Sequence, residues 1–362
     1  MSPEGVVRLA ADGTQEPEAV EEWPEARQGV ARAPTGRELA ADRAFRSLTF
    51  ALAWGVILLV VLILGEIFAS ALPAMRQYGI AFLTGRDWDP GREAFGILPQ
   101  IYGTLYTSVL GLAIATALGL AVAIFLSEGF LAAGVFAVLK ALGLAYRPRW
   151  EALPERLEAL LRIVVELLAA IPSVVYGLWG IFVVIPTIRP MAAWLHDRLG
   201  WMPWFSTPLS GPGILPASLV LAIMVLPTIS AVSRDALVRV PPKLREAAFG
   251  LGATRWEAIL AVFIPTAATG IFGSIVLGFG RALGETMALA MLAGNSNVIS
   301  VSLLSPADTL AALLANSFPE AGKLEVGALM YAALVLLAIT LVVNAVGTWI
   351  VQRATAQLEG QR

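Results

Sequence analysis

The sequence predicts an all-α fold, a polytopic membrane helix bundle with about six transmembrane helices. The first observation is composition. The chain has 362 residues, 57% of them hydrophobic and 14% charged, with a mean hydropathy of +0.75. A soluble domain is nearer half apolar and a quarter charged. The second is that the apolar excess lies in blocks of about 20 residues, the length a bilayer core requires. Lipid offers backbone groups no partners, so such blocks are helices, and the short alternating segments of a β-barrel are missing. The third is where the basic residues fall.

The elements follow in chain order. Residues 1–44 are rich in Glu, Ala and Pro, without an early apolar run. They read as a disordered cytoplasmic tail with no cleavable signal peptide. Residues 45–355 form the transmembrane domain. Its expected spans are Leu48–Leu72, Tyr102–Leu126, Leu161–Thr187, Ile214–Ser233, Thr266–Leu292 and Val326–Val351. With the N-terminus inside, thirteen Lys and Arg flank the spans on the inner side and six on the outer side. The positive-inside rule then places both termini in the cytoplasm. Phe130–Tyr146 is apolar but interrupted by Lys140. A seventh span there would turn the basic loop Arg234–Arg255 outward, so the insert at 129–154 reads as an interfacial or re-entrant helix. Trp194, Trp201 and Trp204 mark Trp194–Phe205 as an outer segment lying at the lipid–water boundary.

Several functions are disfavoured at once. The net charge is −2, which gives no footprint for nucleic acid. There is no cysteine and one histidine, His196, so disulfides, thiolate metal sites and cysteine nucleophiles are excluded. No metal site, cofactor or catalytic residue is expected.

The most informative loop is Val240–Pro265, VPPKLREAAFGLGATRWEAILAVFIP. Pro241 and Pro242 stop one helix and open the next, which covers Lys243–Phe249. Gly250 and Gly252 permit the positive φ of a sharp turn. Thr254 with Glu257 three residues later forms a capping box that starts a second helix. Pro265 falls where the chain enters the fifth span. Ala247 and Ala248 keep one side of the first helix small enough for another protein to approach.

This loop resembles the EAA signature of ABC importer permeases. Glu246-Ala247-Ala248, Gly252 and Val262-Phe263-Ile264-Pro265 stand at the family's spacing, with Val262 and Ile264 in place of Ile and Leu. The resemblance implies a type I ABC importer permease-like fold. It also implies that Glu246, Ala247, Ala248 and Gly252 couple to an ATPase. The chain has no nucleotide site of its own, because its single Gly-Lys pair, Gly322-Lys323, lacks the P-loop context. The ATPase must be a separate subunit.

Charges inside spans are costly and are functional candidates by default. The fifth span holds Arg281 and Glu285, whose spacing of four puts them on one helical face. Arg281 lies about 22 Å along the span from Thr266 at 1.5 Å per residue. The pair is either a self-neutralising structural unit or a permanent cation beside a pathway, ready for an oxyanion. Arginine suits phosphate through its forked donors. Gly280 and Gly284 form a GxxxG pair, which suits close packing at a subunit interface or within the chain. Glu66 and Glu166 are the other acids in spans. Glu66 reads as reaching the interface, and Glu166 as pairing with Arg162 within its helix.

The blocks Phe95–Ser108 (FGILPQIYGTLYTS), Ile171–Gly180 (IPSVVYGLWG), Arg281–Ala288 (RALGETMA) and Arg245–Trp256 resemble the PstC-type permease of ABC phosphate importers. The likeness runs from about Leu48 to Arg353; the N-terminal tail and the 129–154 insert exceed the family pattern. It implies a subunit forming half of a phosphate pathway in the bacterial inner membrane. It ties Arg281 and Glu285, with Thr286 in the same block, to phosphate passage. The implied partners are a second, PstA-like permease subunit, two ATPase subunits, a periplasmic phosphate-binding protein and membrane lipid. Rival functions are a permease for sulfate, molybdate or phosphonate, and a secondary transporter.

Overall fold

In a computed structural model, six helices among the described residues are long and apolar enough to cross a membrane: Gly36–Tyr78, Leu98–Ser127, Ser173–Leu199, Ile214–Val238, Arg255–Leu283 and Lys323–Arg353. The structure describes residues 35–130, 134 and 152–359. Most of the expected tail and of the insert at 129–154 therefore lies outside the described residues, as does all of Phe130–Tyr146 but Phe130 and Gly134.

The helices are α1 (Gly36–Tyr78), α2 (Leu98–Ser127), α3 (Ala152–Ala170), α4 (Ser173–Leu199), α5 (Ile214–Val238), α6 (Pro242–Gly250), α7 (Arg255–Leu283), α8 (Met287–Leu292), α9 (Leu310–Ser317) and α10 (Lys323–Glu359). A small antiparallel hairpin pairs β1 (Trp88–Asp89) with β2 (Ala94–Phe95). The chain divides into two compact units after Ile63. In the first, α1 begins at Gly36, ahead of the expected boundary at residue 45. It exposes apolar side chains on all sides, among them Phe50, Trp54, Leu58 and Leu62. A helix apolar all round is suited to lipid or to a core rather than to water.

The second unit is built around α5. Two-thirds of its apolar window (67%) is buried, against at most 33% in any other span. Without a hydrophobic force between helices in lipid, close approach depends on small residues. Gly111 of α2 would, as alanine, come within 3.1 Å of Leu221 of α5, and Gly119 within 3.0 Å of Ile229. Gly278 of α7 packs on Val225 and Ile229 in the same way, so α5 lies between α2 and α7.

Two spans differ from expectation. Leu161–Thr187 is not one helix. Pro172 starts a new helix in extended conformation, because the residue before a proline is kept out of the α region and the proline lacks an N–H. The polar-faced α3 is thus separate, and the third span shifts to Ser173–Leu199. It takes in Trp194 and His196, leaving only Trp201 and Trp204 in the loop after it. The fifth span starts at Arg255 and ends at Leu283 rather than reaching Leu292.

Two of the prolines inside spans, Pro186 and Pro265, are accommodated by a common device. In α4 the Ile185 N–H bonds to the Gly180 carbonyl, one residue before Pro186. In α7 the Ile264 N–H bonds to the Ile259 carbonyl, one residue before Pro265. Each is a single wide turn that moves aside the carbonyl a proline ring would strike. Pro265 therefore lies inside α7, not at its entry.

The end of the bundle away from α6 is closed by the segment after α7. Ile214 and Leu215 N–H donate to the Ser305 and Leu303 carbonyls, and Leu303 N–H to that of Trp204. Phe82 stacks on Tyr331 at 4.4 Å and the hairpin's Trp88 meets Phe95 at 4.9 Å. Asp308 is buried here. It accepts from Thr309 N–H at 2.8 Å and from the Gln100 amide of α2 at 3.3 Å.

Candidate functional site

Arg281 occupies the last turn of α7, and Gly284 caps the helix. A cation suits the carbonyl end of a helix. Its side chain is exposed, and Nη1 donates to Thr228 Oγ1 of α5 at 3.4 Å. Glu285 lies past the helix end, its N–H reaching back to the Ala282 carbonyl at 3.4 Å. The expected continuous face carrying Arg281 and Glu285 is therefore not formed, and among the described residues the two make no ion pair. The physical reason is the stop at Gly284, after which the chain turns and α8 begins at Met287. Thr286 sits in that turn and donates to the Gly284 carbonyl at 3.1 Å. Arg281, Glu285 and Thr286 are thus gathered at one helix break, each accessible to some degree.

Of the two packing alternatives for Gly280 and Gly284, the structure shows close packing within the chain at Gly280 alone. Gly280 packs within the chain, where an added Cβ would come 3.1 Å from Asn344 Oδ1 of α10. Gly284 ends the helix and has only its own turn nearby.

The second candidate region is the loop 242–258. It forms as the sequence dictates: α6, a turn, then the start of α7. Thr254 accepts from the Glu257 N–H while Glu257 accepts from the Thr254 N–H, so both halves of the capping box are present. Gly252 has φ +85°, the region L side chains avoid. Gly250 does not need its freedom, because it closes α6 in helical conformation.

Glu246 and Ala247 are exposed, but Ala248 is buried in the chain's own cluster with Leu237, Ala258, Ile259 and Phe263. Adjacent residues point about 100° apart, and the side of α6 that meets the bundle is the one carrying Ala248. The outer surface is instead apolar at Leu251 (90% exposed), Trp256 and Phe249. Behind it, Arg245 binds Glu128 through Nη1 at 2.9 and 2.8 Å and the Leu237 carbonyl through Nη2 at 2.8 Å. An open cleft of about 560 Å³ runs beside them, lined by Ser127, Glu128, Arg245, Phe249, Ala253 and Arg255.

The remaining acids are placed simply. Arg162 pairs with Glu166 at 2.9 Å within α3, and Glu66 is exposed on α1. Among the described residues no His, Cys, Asp and Glu cluster could hold a metal ion. Sequence reasoning missed Thr228 and Glu128. The available signals were a hydroxyl directly after Pro227 in a span, and a lone acid where the second span ends.

Residues 141–356 match the family described as "Binding-protein-dependent transport system inner membrane component". The chain is 38% identical over 322 residues to the phosphate transport system permease protein PstC of Mesorhizobium japonicum, covering 87% of this chain and 91% of that protein. It is 39% identical over 307 residues to the protein of the same name from Haemophilus influenzae, covering 83% and 89%. The fold resembles a chain in the crystal structure of a bacterial alginate ABC transporter in complex with an alginate pentasaccharide-bound periplasmic protein. That likeness has TM-score 0.56 and 16% identity, and covers 87% of this chain and 97% of that one.

Proposed function

The chain belongs to the binding-protein-dependent transport permeases, a family of multi-pass membrane proteins, and on that premise we propose that it is the PstC-type permease subunit of an ATP-driven phosphate importer. The carrying observation is identity of 38% to a phosphate transport permease along 87% of the chain. The subunit lies in the inner membrane with both termini cytoplasmic. Its partners are a PstA-like permease, two ATPase subunits and a periplasmic phosphate-binding protein.

The mechanism is alternating access, with no covalent chemistry on this chain. The binding protein releases phosphate at the end of the bundle opposite α6. Arg281 meets the anion where α7 ends. Its guanidinium has five donors in a planar fork, and the weak contact to Thr228 commits one of them. The site therefore keeps donors for an oxyanion without first breaking an ion pair. Glu285 and Thr286 border the same break and shape the passage. At the other end Glu246, Ala247 and Gly252, with exposed Leu251 and Trp256, face the ATPase. Ala248 secures α6 to the bundle rather than touching the ATPase. ATP binding moves α6 and opens the outer gate, and hydrolysis resets it.

The test is labelled-phosphate uptake by cells lacking other phosphate transporters, with and without this chain and its partners. Uptake that needs the chain, and that excess sulfate or molybdate does not suppress, is the expected result. Uptake of another oxyanion in place of phosphate would refute the substrate.

A further inference from the structure

We propose that Glu128 and Arg245 form the joint through which a displacement of α6 reaches the membrane helices, which makes both of them positioning residues for transport. The proposal rests on the reading of residues 242–258 as the ATPase-facing loop. One guanidinium contacts the ends of α2 and α5 and the wide turn inside α7 at once. Nη1 holds both Glu128 carboxylate oxygens just past the end of α2, and Nη2 holds the Leu237 carbonyl at the end of α5. The flat face lies 4.4 Å over the Phe263 ring, in the wide turn of α7. The Glu128 side chain is 8% exposed and that of Arg245 23%. The pair is partly enclosed, so breaking it would leave the Glu128 carboxylate, held mostly away from water, without its partner. The joint thus links α6 to the ends of α2 and α5 and to the wide turn of α7, and opposes their sliding independently.

Two of those helices carry the candidate anion site. Leu237 and Thr228 are nine residues apart on α5, about 13 Å at 1.5 Å per residue, and Phe263 and Arg281 are about 27 Å apart on α7. A movement of α6 passed through Arg245 thus acts on the two helices joined by the Thr228–Arg281 contact of the candidate anion site. The neighbouring residue Glu246 is exposed while Arg245 points inward, so α6 presents one face to a partner and the other to the joint. Lysine could not replace Arg245, because a point charge cannot hold two acceptors in a plane and stack on a ring.

The experiment uses the whole complex in liposomes: this chain, its second permease, the ATPase and the binding protein. Imported anion and hydrolysed ATP are measured together. Glu128→Gln keeps the shape and removes the charge at a position off the partner-facing surface. The expected result is a complex that assembles and still turns over ATP, but imports about fivefold or more less anion per ATP, the lower range of a coupling between sites. Glu128→Asp, which restores the charge, recovers part of the ratio. Combining Glu128→Gln with Arg245→Lys costs no more than the worse single change, since residues of one joint are not additive. An unchanged import-to-ATP ratio in assembled Glu128→Gln complexes overturns the proposal. So does a fall in import that only tracks lost assembly. If the wild-type complex imports a different oxyanion, only the phosphate reading fails, and the ratio is measured with that anion. If the wild-type chain binds no ATPase, the function reading fails and the joint with it.

Discussion

The Arg281 guanidinium at the end of α7 reaches the Thr228 hydroxyl of α5, with Nη1 and Oγ1 3.4 Å apart. Thr228 directly follows Pro227, which lies inside α5 and takes no part in the helix as a donor. The cation is held by a neutral partner at the margin of hydrogen-bond length, so an arriving anion has little to displace. The carbonyl end of α7 favours a cation at this position, and the guanidinium stays exposed there with donors left over.

Arg281→Ala therefore abolishes phosphate uptake and leaves the complex assembled. Arg281→Lys keeps the charge without the fork and rescues uptake in part or not at all. Thr228→Val removes the anchor but not the cation. A bond this long contributes less than the typical ~1 kcal/mol, so half-saturation for phosphate weakens by less than about fivefold. Uptake is measured in cells lacking other phosphate transporters, and assembly by copurification. Wild-type uptake by an assembled Arg281→Ala complex would sink the assignment.

Gly252 and Gly250 should respond oppositely to a side chain. Neither has a neighbour within 4 Å of an added Cβ, but only Gly252 has positive φ. Gly252→Val strains the backbone by on the order of 1 kcal/mol or more, weakening ATPase association and uptake. Gly250→Ala sits in helical conformation and stabilises by about 0.4–1 kcal/mol. Copurified ATPase and thermal unfolding read the two effects, and equal behaviour of the two variants would refute the turn assignment.

Asp308 makes stability depend on pH. Burial pushes its carboxyl up to about 6, against the Thr309 N–H and the Gln100 amide, which pull it down. The folded state thus holds the proton more tightly than the unfolded chain does. The contribution is full below about pH 4 and is lost as pH rises through about 6. Asp308→Asn keeps an acceptor for the Thr309 N–H and cannot ionise. The variant should gain on the order of 3 kcal/mol over the wild type at pH 8 relative to pH 4. Thermal unfolding of the purified chain across that range checks it, and a difference independent of pH would be the contrary result.

Topology is testable without background, since the chain has no cysteine. Thr254→Cys and Val298→Cys lie at opposite ends of the bundle, and both positions are exposed. An impermeant maleimide added to intact cells should modify the cysteine at 298 and spare the one at 254. The reverse pattern would overturn the orientation.

What the sequence determined is what depends on neighbours along the chain. Apolar runs of bilayer length mark membrane helices wherever they occur, so six spans were legible, with the EAA-like loop between the fourth and fifth. The capping box of Thr254 and Glu257 closes over three residues, and Gly252 adopts the turn its missing Cβ permits. Tertiary structure decided what depends on distant partners. The Arg281–Thr228 contact spans 53 residues and the Arg245–Glu128 pair 117, and no local pattern encodes either. Burial of Ala248 and the use of Gly280 against Asn344 likewise follow from which helix lies alongside. The stop at Gly284 is the intermediate case. Glycine weakens a helix interior by only about 1 kcal/mol, so the apolar residues on both sides made one long span equally plausible. In the folded chain the helix stops at Gly284 and the next begins at Met287, which separates Arg281 from Glu285.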